Sequence, residues 1–263
     1  MFKYNPAVQG VIFPPKHPYY EISKNALEVV KAMQGEEKQR TSIDLSKYIK
    51  NNVTTKIVRE VLLEYANKFP ENFINGLEKI KFTTSQSYMM QHTINVNNMT
   101  RKRVGKSTIS ISNQTFSNGY NPAVEFMDGL YSIKQGRELT FNQEYAFESM
   151  WHEILHAKTA SQHQKLSSQQ KKHMETVNQF VARHTYPKFI EAFGGKAINQ
   201  VEILNNGYGY KEWVKTFRGK LKDFGIDEKT AVEFLEPHLM KDYSSIGNKI
   251  DELFNRDFNI VKP

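Results

Sequence analysis

The chain contains no cysteine. Disulfides, cysteine nucleophiles and thiolate metal sites are therefore excluded. No apolar run reaches the roughly 18 residues that a membrane-spanning helix needs, so no span is expected. The opening stretch MFKYNPAVQGVIFPPKHPYY is broken by Pro6, Pro14, Pro15 and Pro18 and lacks the apolar centre of a signal peptide. A soluble protein, cytoplasmic by default, is the expectation. Acidic residues are the scarcer sign, 28 against 36 Lys and Arg, for a net charge of +8 and a pI near 9.3. Such a balance fits either an acidic partner or a solvated basic surface. The basic triplet Arg101, Lys102 and Arg103 could contact phosphates, but it lacks aromatic interleaving and any recognised binding motif. Nucleic-acid binding is therefore the weakest reading.

What is present supports a globular fold. The chain has 263 residues, 39% of them hydrophobic and 24% charged, enough for a real core. After the proline-broken arm, EISKNALEVVKAMQG can form a helix ending at Gly35. Asp44 can cap a longer helix that runs to Phe69, with Ile57, Val58, Val61, Leu62 and Tyr65 at helical spacing. Pro70 stops it, and a short helix is expected over PENFINGLEKI. From Lys81 to Phe116 the texture changes to Thr, Ser, Ile and Val with alternation in STISIS, which predicts two or three strands, with TRKRVGK as a turn. Helical patterns return over 141–160, 168–186, 228–240 and 244–256, with FGGKA and NNGYGY as loops. YNPAV occurs at Tyr4–Val8 and again at Tyr120–Val124, but the flanks differ and no repeat is assigned.

The stretch FESMWHEILHAKTA carries His152, Glu153 and His156 as H-E-x-x-H. Thr140 and Gln143 resemble a capping box, so a helix is expected to start at Phe141. On that helix the two histidines, four residues apart, stand one turn above the other and can share one zinc ion. Glu153 lies beside them and can reach water at the metal without being a ligand. The bland alternative is two surface histidines on an amphipathic helix. A catalytic zinc site needs a third protein ligand and one open position. The longer pattern H-E-x-x-H-x-x-G-x-x-H would need a glycine and a final histidine where the chain has Thr159 and Gln162, so it is rejected. The one carboxylate between Ala157 and Ile190 is Glu175, alone in a basic stretch. It is the favoured third ligand; facing water is the usual fate of such a residue, and His163 or His184 is the next choice.

HEILH followed by Glu175 within METVNQFVA resembles the zincin metallopeptidases of the glutamate-ligand, or gluzincin, type. There is a looser likeness to zincin-like domains of bacteriophage and bacterial toxin or conjugation proteins. The matching region covers about residues 105–185, under a third of the chain. The resemblance implies a strand-plus-helix catalytic core; the β-rich texture of Lys81–Phe116 and the helical patterns elsewhere predict an α+β fold, mainly helical, with a small mixed sheet next to the H-E-x-x-H helix. The same patterns mark a helical N-terminal region over 1–80, either packed on the rest or a separate module, and a zincin-like domain over 81–263. An edge strand should bind substrate backbone, and Lys106–Ser112 is the candidate. Zn2+ held by His152, His156 and Glu175 would activate water, with Glu153 as general base towards a protein or peptide substrate. A further donor for the developing oxyanion is sought in Tyr208, Tyr210 or His184, and Asn178 can support a ligand. A non-catalytic zincin-fold assembly or binding protein is the alternative.

Overall fold

The computed structural model describes residues 42–161 and 165–255. The expected N-terminal arm, the helix ending at Gly35, the first YNPAV and His163 lie outside the described residues. Thr54 accepts a hydrogen bond from the Ile57 N–H and starts α1, Thr55–Lys68. Its apolar positions Val58, Val61, Leu62 and Tyr65 are buried on one face. The single helix expected from Asp44 is not formed. Asp44 caps only a 3-10 turn, Leu45–Lys47, and the intervening NNVT run holds the Asn and β-branched types that favour caps and extended backbone over helix interiors.

The short helix expected over residues 70–80 is also replaced. Pro70–Asn72 makes a 3-10 turn, and β1, Leu77–Thr83, follows directly. With β2, Met90–Val96, and β3, Arg103–Ser112, it forms a sheet in the order β1-β3-β2. β1 runs parallel to β3 and β2 antiparallel to it. This corrects the proposed substrate edge. Lys106–Ser112 lies in the central strand with both sides paired, so its backbone groups are taken, and β2 is the edge that packs on the H-E-x-x-H helix.

Helix α2, Pro122–Lys134, is absent from the helical patterns read in the sequence, although Asn121 caps it and Pro122 opens it. The second YNPAV is thus a helix start. α2 packs closely on α3, Phe141–Lys158: a Cβ at Gly129 would lie 2.7 Å from the Phe147 ring. The remaining helices are α4, Ser168–Thr185; α5, Pro187–Glu191; α6, Gln200–Asn206; α7, Lys211–Asp223; α8, Glu228–Leu239; and α9, Ile246–Asn255. A 3-10 turn, Tyr243–Ser245, precedes α9. The architecture is α+β, mainly helical with one small mixed sheet. The described residues from Ile43 onward form one compact unit, and residue 80 falls inside β1 within it. Among the described residues no helix is long and apolar enough to cross a membrane.

α3 runs through the core. Phe147, Met150, Ile154 and Leu155 are fully buried, but so are Glu144 and Glu148, and His152 and Glu153 are nearly so. Buried carboxylates need partners. Glu144 has them: Tyr186 Oη and the backbone N–H groups of Ile198 and Asn199 all donate to it. It ties α3 to the residues that lead into α6.

Candidate metal centre

Two helices with matching start signals bring the site together. The Thr140 hydroxyl accepts from the Gln143 N–H and Gln143 Oε1 accepts from the Thr140 N–H, both at 3.2 Å, so α3 begins with the expected capping box. Ser167 and Gln170 do the same for α4. With both starts set, His152 and His156 from α3 meet Glu175 from α4. The two Nε2 atoms are 3.2 Å apart. Glu175 Oε2 lies 3.3 Å from His152 Nε2 and 3.4 Å from His156 Nε2.

These separations can be tested against a metal. Zinc binds His nitrogen and carboxylate oxygen at about 2.0–2.1 Å in a tetrahedron, whose edge is then about 3.3–3.4 Å. The three ligand atoms span one face of such a tetrahedron. Glu175 Oε2 is buried and makes no well-formed hydrogen bond, as a ligand atom facing a cation would be left. The residues fit Zn2+, and the three form a group able to hold a metal ion. Electrostatics agree. Burial opposes ionising Glu175, yet His156 and His152 hold its carboxyl well below the usual range. Burial likewise opposes charging His152, but Glu175 and Glu153 raise its pKa to about 8. The pocket is therefore built to concentrate positive charge between these side chains.

Supporting contacts come from several elements. Asn178, one turn beyond Glu175, donates from Nδ2 to the His152 carbonyl at 3.1 Å and lies 3.2 Å from His156 Nε2, so it stands beside the three ligand candidates. The Tyr243 hydroxyl lies 2.9 Å from His156 Nδ1 and so fixes the ring with Nε2 turned to the other ligands. Sequence reasoning misses Tyr243, which is 87 residues away with no local pattern to mark it. Glu153 is no member of the ligand group: its Oε2 accepts from the His92 N–H on β2 at 2.7 Å.

The two loop tyrosines part company. The Tyr210 ring stacks on His152 with centroids 5.8 Å apart, and its hydroxyl is within hydrogen-bonding reach of Glu175. Burial, then the charges of Glu175 and Glu153, push its ionisation above the usual range, so it stays a donor. Its φ of 50° is a left-handed conformation rare for a bulky residue. Tyr208 points elsewhere: its hydroxyl donates to Asn142 Oδ1 at 2.8 Å and its ring packs against Tyr120, Phe141 and Tyr145. His184 is paired with Glu228 at 2.8 Å and borders no part of the metal cleft. Of the three oxyanion candidates, only Tyr210 stands at the site.

A cleft opens on the triad. Its wider part, about 420 Å3, is bordered by His92, Arg103, His156 and Glu175. An adjoining part of about 300 Å3 is bordered by Met89, Tyr145, Ser149, Gln179 and Gly209. Tyr88, Met90, His152, Glu153 and Tyr210 border both. No protein-family model matches the chain, and no curated protein and no solved structure is significantly similar to it.

Proposed function

We propose that the chain is a zinc-dependent peptidase of the gluzincin kind, acting on a peptide or protein substrate. The observation that carries this reading is the separation of roles around one point. His152, His156 and Glu175 present ligand atoms 3.2–3.4 Å apart, while Glu153, beside them, is held by the His92 N–H and is not a ligand. When bound, the metal supplies a Lewis acid that polarises a carbonyl and acidifies water. Glu153 is the general base: one carboxylate oxygen is anchored on β2 and the other takes the proton, later passing it to the leaving amine. Tyr210, kept protonated, donates a hydrogen bond towards the oxygen that gains charge.

Substrate positioning falls to β2. The His92 N–H points away from β3, since it donates to Glu153. In an antiparallel pair such directions alternate, so Met90 also turns its N–H and C=O to the cleft. An extended peptide laid along β2 can pair with these groups as an added strand.

Two measurements test the proposal. Protein purified without added metal should carry one zinc per chain, and His152→Ala, His156→Ala and Glu175→Ala should each lower that content. Glu153→Gln is nearly isosteric and should keep zinc and fold while losing hydrolysis by about 10²–10⁴-fold against a peptide library. Equal cleavage by this variant would sink the mechanism. Zinc held without any cleavage would favour the non-catalytic assembly reading.

A further inference from the structure

Arg103 opens β3 and borders the wider part of the cleft together with His156 and Glu175. It is not the solvated turn residue that its basic neighbours suggest. Its Nη1 donates to the carbonyls of His156 at 3.2 Å and Thr159 at 3.4 Å, where α3 ends. The guanidinium also lies over the Tyr243 ring, 5.9 Å from its centre. These contacts fix the group without neutralising it. A guanidinium carries five N–H donors in a rigid fork, and one nitrogen serves both carbonyls.

Among the described residues, two other arginines are buried or half-buried, and both face a carboxylate. Arg218 pairs with Glu228 at 2.7 Å, and Arg183 faces Glu148 at 4.0 Å. Arg103 has no carboxylate in ion-pair contact among the described residues. The acids that share its cleft are already engaged, Glu153 with the His92 N–H and Glu175 with the two histidines. A charge partly removed from water and left unpaired is costly unless a ligand completes it. The adjoining part of the cleft offers an anion nothing comparable, because among the described residues no Lys or Arg borders it.

We infer that Arg103 is the anion-recognising group of this cleft and selects peptides that carry a carboxylate close to the bond presented at the metal triad. The carboxylate is either a free C-terminus or an Asp or Glu side chain, and the fork geometry of Arg103 suits both. This inference rests on the peptidase reading of the same site, which supplies the peptide.

The test reads binding rather than turnover. Zinc-loaded Glu153→Gln protein is titrated with short N-acetylated peptides of one apolar sequence, ending in a free carboxylate or an amide, and with the amide form carrying one aspartate. At least one of the two carboxylate peptides should bind about tenfold tighter than the neutral amide, the size of a charge-assisted pair. Free-terminus and aspartate arms show which source is used. Adding Arg103→Met should bring the ratio to about one, whereas Arg103→Lys should keep part of it. A ratio that survives Arg103→Met overturns the inference, and so does a wild-type ratio of one. Should Arg103→Met fail to fold, glutarate competition on the Arg103 protein decides: it should displace the carboxylate peptides and spare the neutral one, and equal displacement overturns the inference. The peptidase reading fails separately, if wild-type protein cleaves none of the peptides while the carboxylate preference in binding stands.

Discussion

α3 and the segment Gly207–Tyr210 meet at the same triad and reach it by opposite physical means. α3 carries its own geometry. A capping box sets where it begins, and helical periodicity then places His152 and His156 on one face with Glu153 beside them. The loop has no such internal rule. Arg183, on α4, donates from Nη1 to the Leu204 carbonyl and from Nη2 to those of Gly207 and Gly209, at 3.2, 2.9 and 2.7 Å. The Gly209 N–H donates to the Tyr145 hydroxyl at 2.6 Å. These bonds from two helices hold Tyr210 in its left-handed conformation over His152. A site can thus combine one element that is locally determined with one that is determined only by what surrounds it.

The sharpest way to break the comparison is to remove the loop's anchor. Arg183 is almost completely buried. Arg183→Met should cost about 3–5 kcal/mol, because the Gly207 and Gly209 carbonyls lose their side-chain donor and the buried Glu148 loses its cation, while the Leu204 carbonyl keeps Arg218. Burial already raises the Glu148 pKa to about 7, against the opposing charge of Arg183. Urea unfolding measures the loss. If stability falls by less than about 1 kcal/mol, the loop is held by something other than Arg183.

Next in size is the removal of the hydroxyl that the anchor positions. Tyr210→Phe keeps the ring that stacks on His152 and removes one donor. Hydrolysis should drop about 10²-fold in kcat, the effect of losing one oxyanion donor, with zinc affinity unchanged. A rise in KM alone, at full kcat, would make Tyr210 a substrate-binding residue instead.

The ordering of effects explains what could be read in advance. His152, Glu153 and His156 are legible because a helix places residues four apart together without outside help. Glu175 is legible because no other acid competes with it between Ala157 and Ile190. β2 and β3 show in the Thr, Ser, Ile and Val texture, but most of β1 does not, because Leu77–Ile80 closes a stretch that reads as a short helix. Nor does the strand order show: nothing within Lys106–Ser112 tells a central strand from an edge. Tyr243, Arg103 and Arg183 act through contacts 87, 53 and 26 residues away, and such contacts leave no trace in local pattern. For α2 the signal is local and present, in the cap Asn121 and the opening Pro122, but it lies in a repeated YNPAV that reads equally well as a turn.

A smaller effect tests the charge stored in the α3 half of the site. In metal-free protein the His152 pKa of about 8 lies above its ordinary 6.5, so its favourable pairing is fully present below pH 6.5 and is lost as pH rises through 8. Glu175 is depressed, so its contribution is present above its ordinary 4.5 and is lost as pH falls below that. Zinc needs the neutral imidazole and expels the proton. Only the His152 proton titrates between about pH 6.5 and 8: the metal-free protein loses its pairing as pH rises, whereas the zinc-bound form carries no such proton, so stabilisation by zinc should grow with pH over that range, by up to about 1.4 kcal/mol per pH unit. The gap in Tm between zinc-loaded and chelated protein measures it. A gap that stays constant over that range would mean that no ligand proton is displaced.

The smallest effect separates two tyrosines that lie two residues apart in one loop. Tyr208 and Tyr210 are equivalent by composition, each preceded by glycine in NNGYGY. Their surroundings differ. The Tyr208 hydroxyl bonds Asn142 at the start of α3, and its ring fills an aromatic cluster with Tyr120, Phe141 and Tyr145. Tyr208→Phe keeps that ring and loses one partly buried hydrogen bond, so it should cost about 1 kcal/mol in stability. It should leave zinc affinity and kcat as they are, because Tyr208 touches neither the triad nor the cleft. Measured beside Tyr210→Phe, the pair forms a double dissociation: one variant loses stability and keeps turnover, the other keeps stability and loses turnover. If Tyr208→Phe lowers kcat as far as Tyr210→Phe does, the loop moves as a unit during the reaction, and the anchoring by Arg183 and Tyr145 is too weak to fix one tyrosine independently of the other.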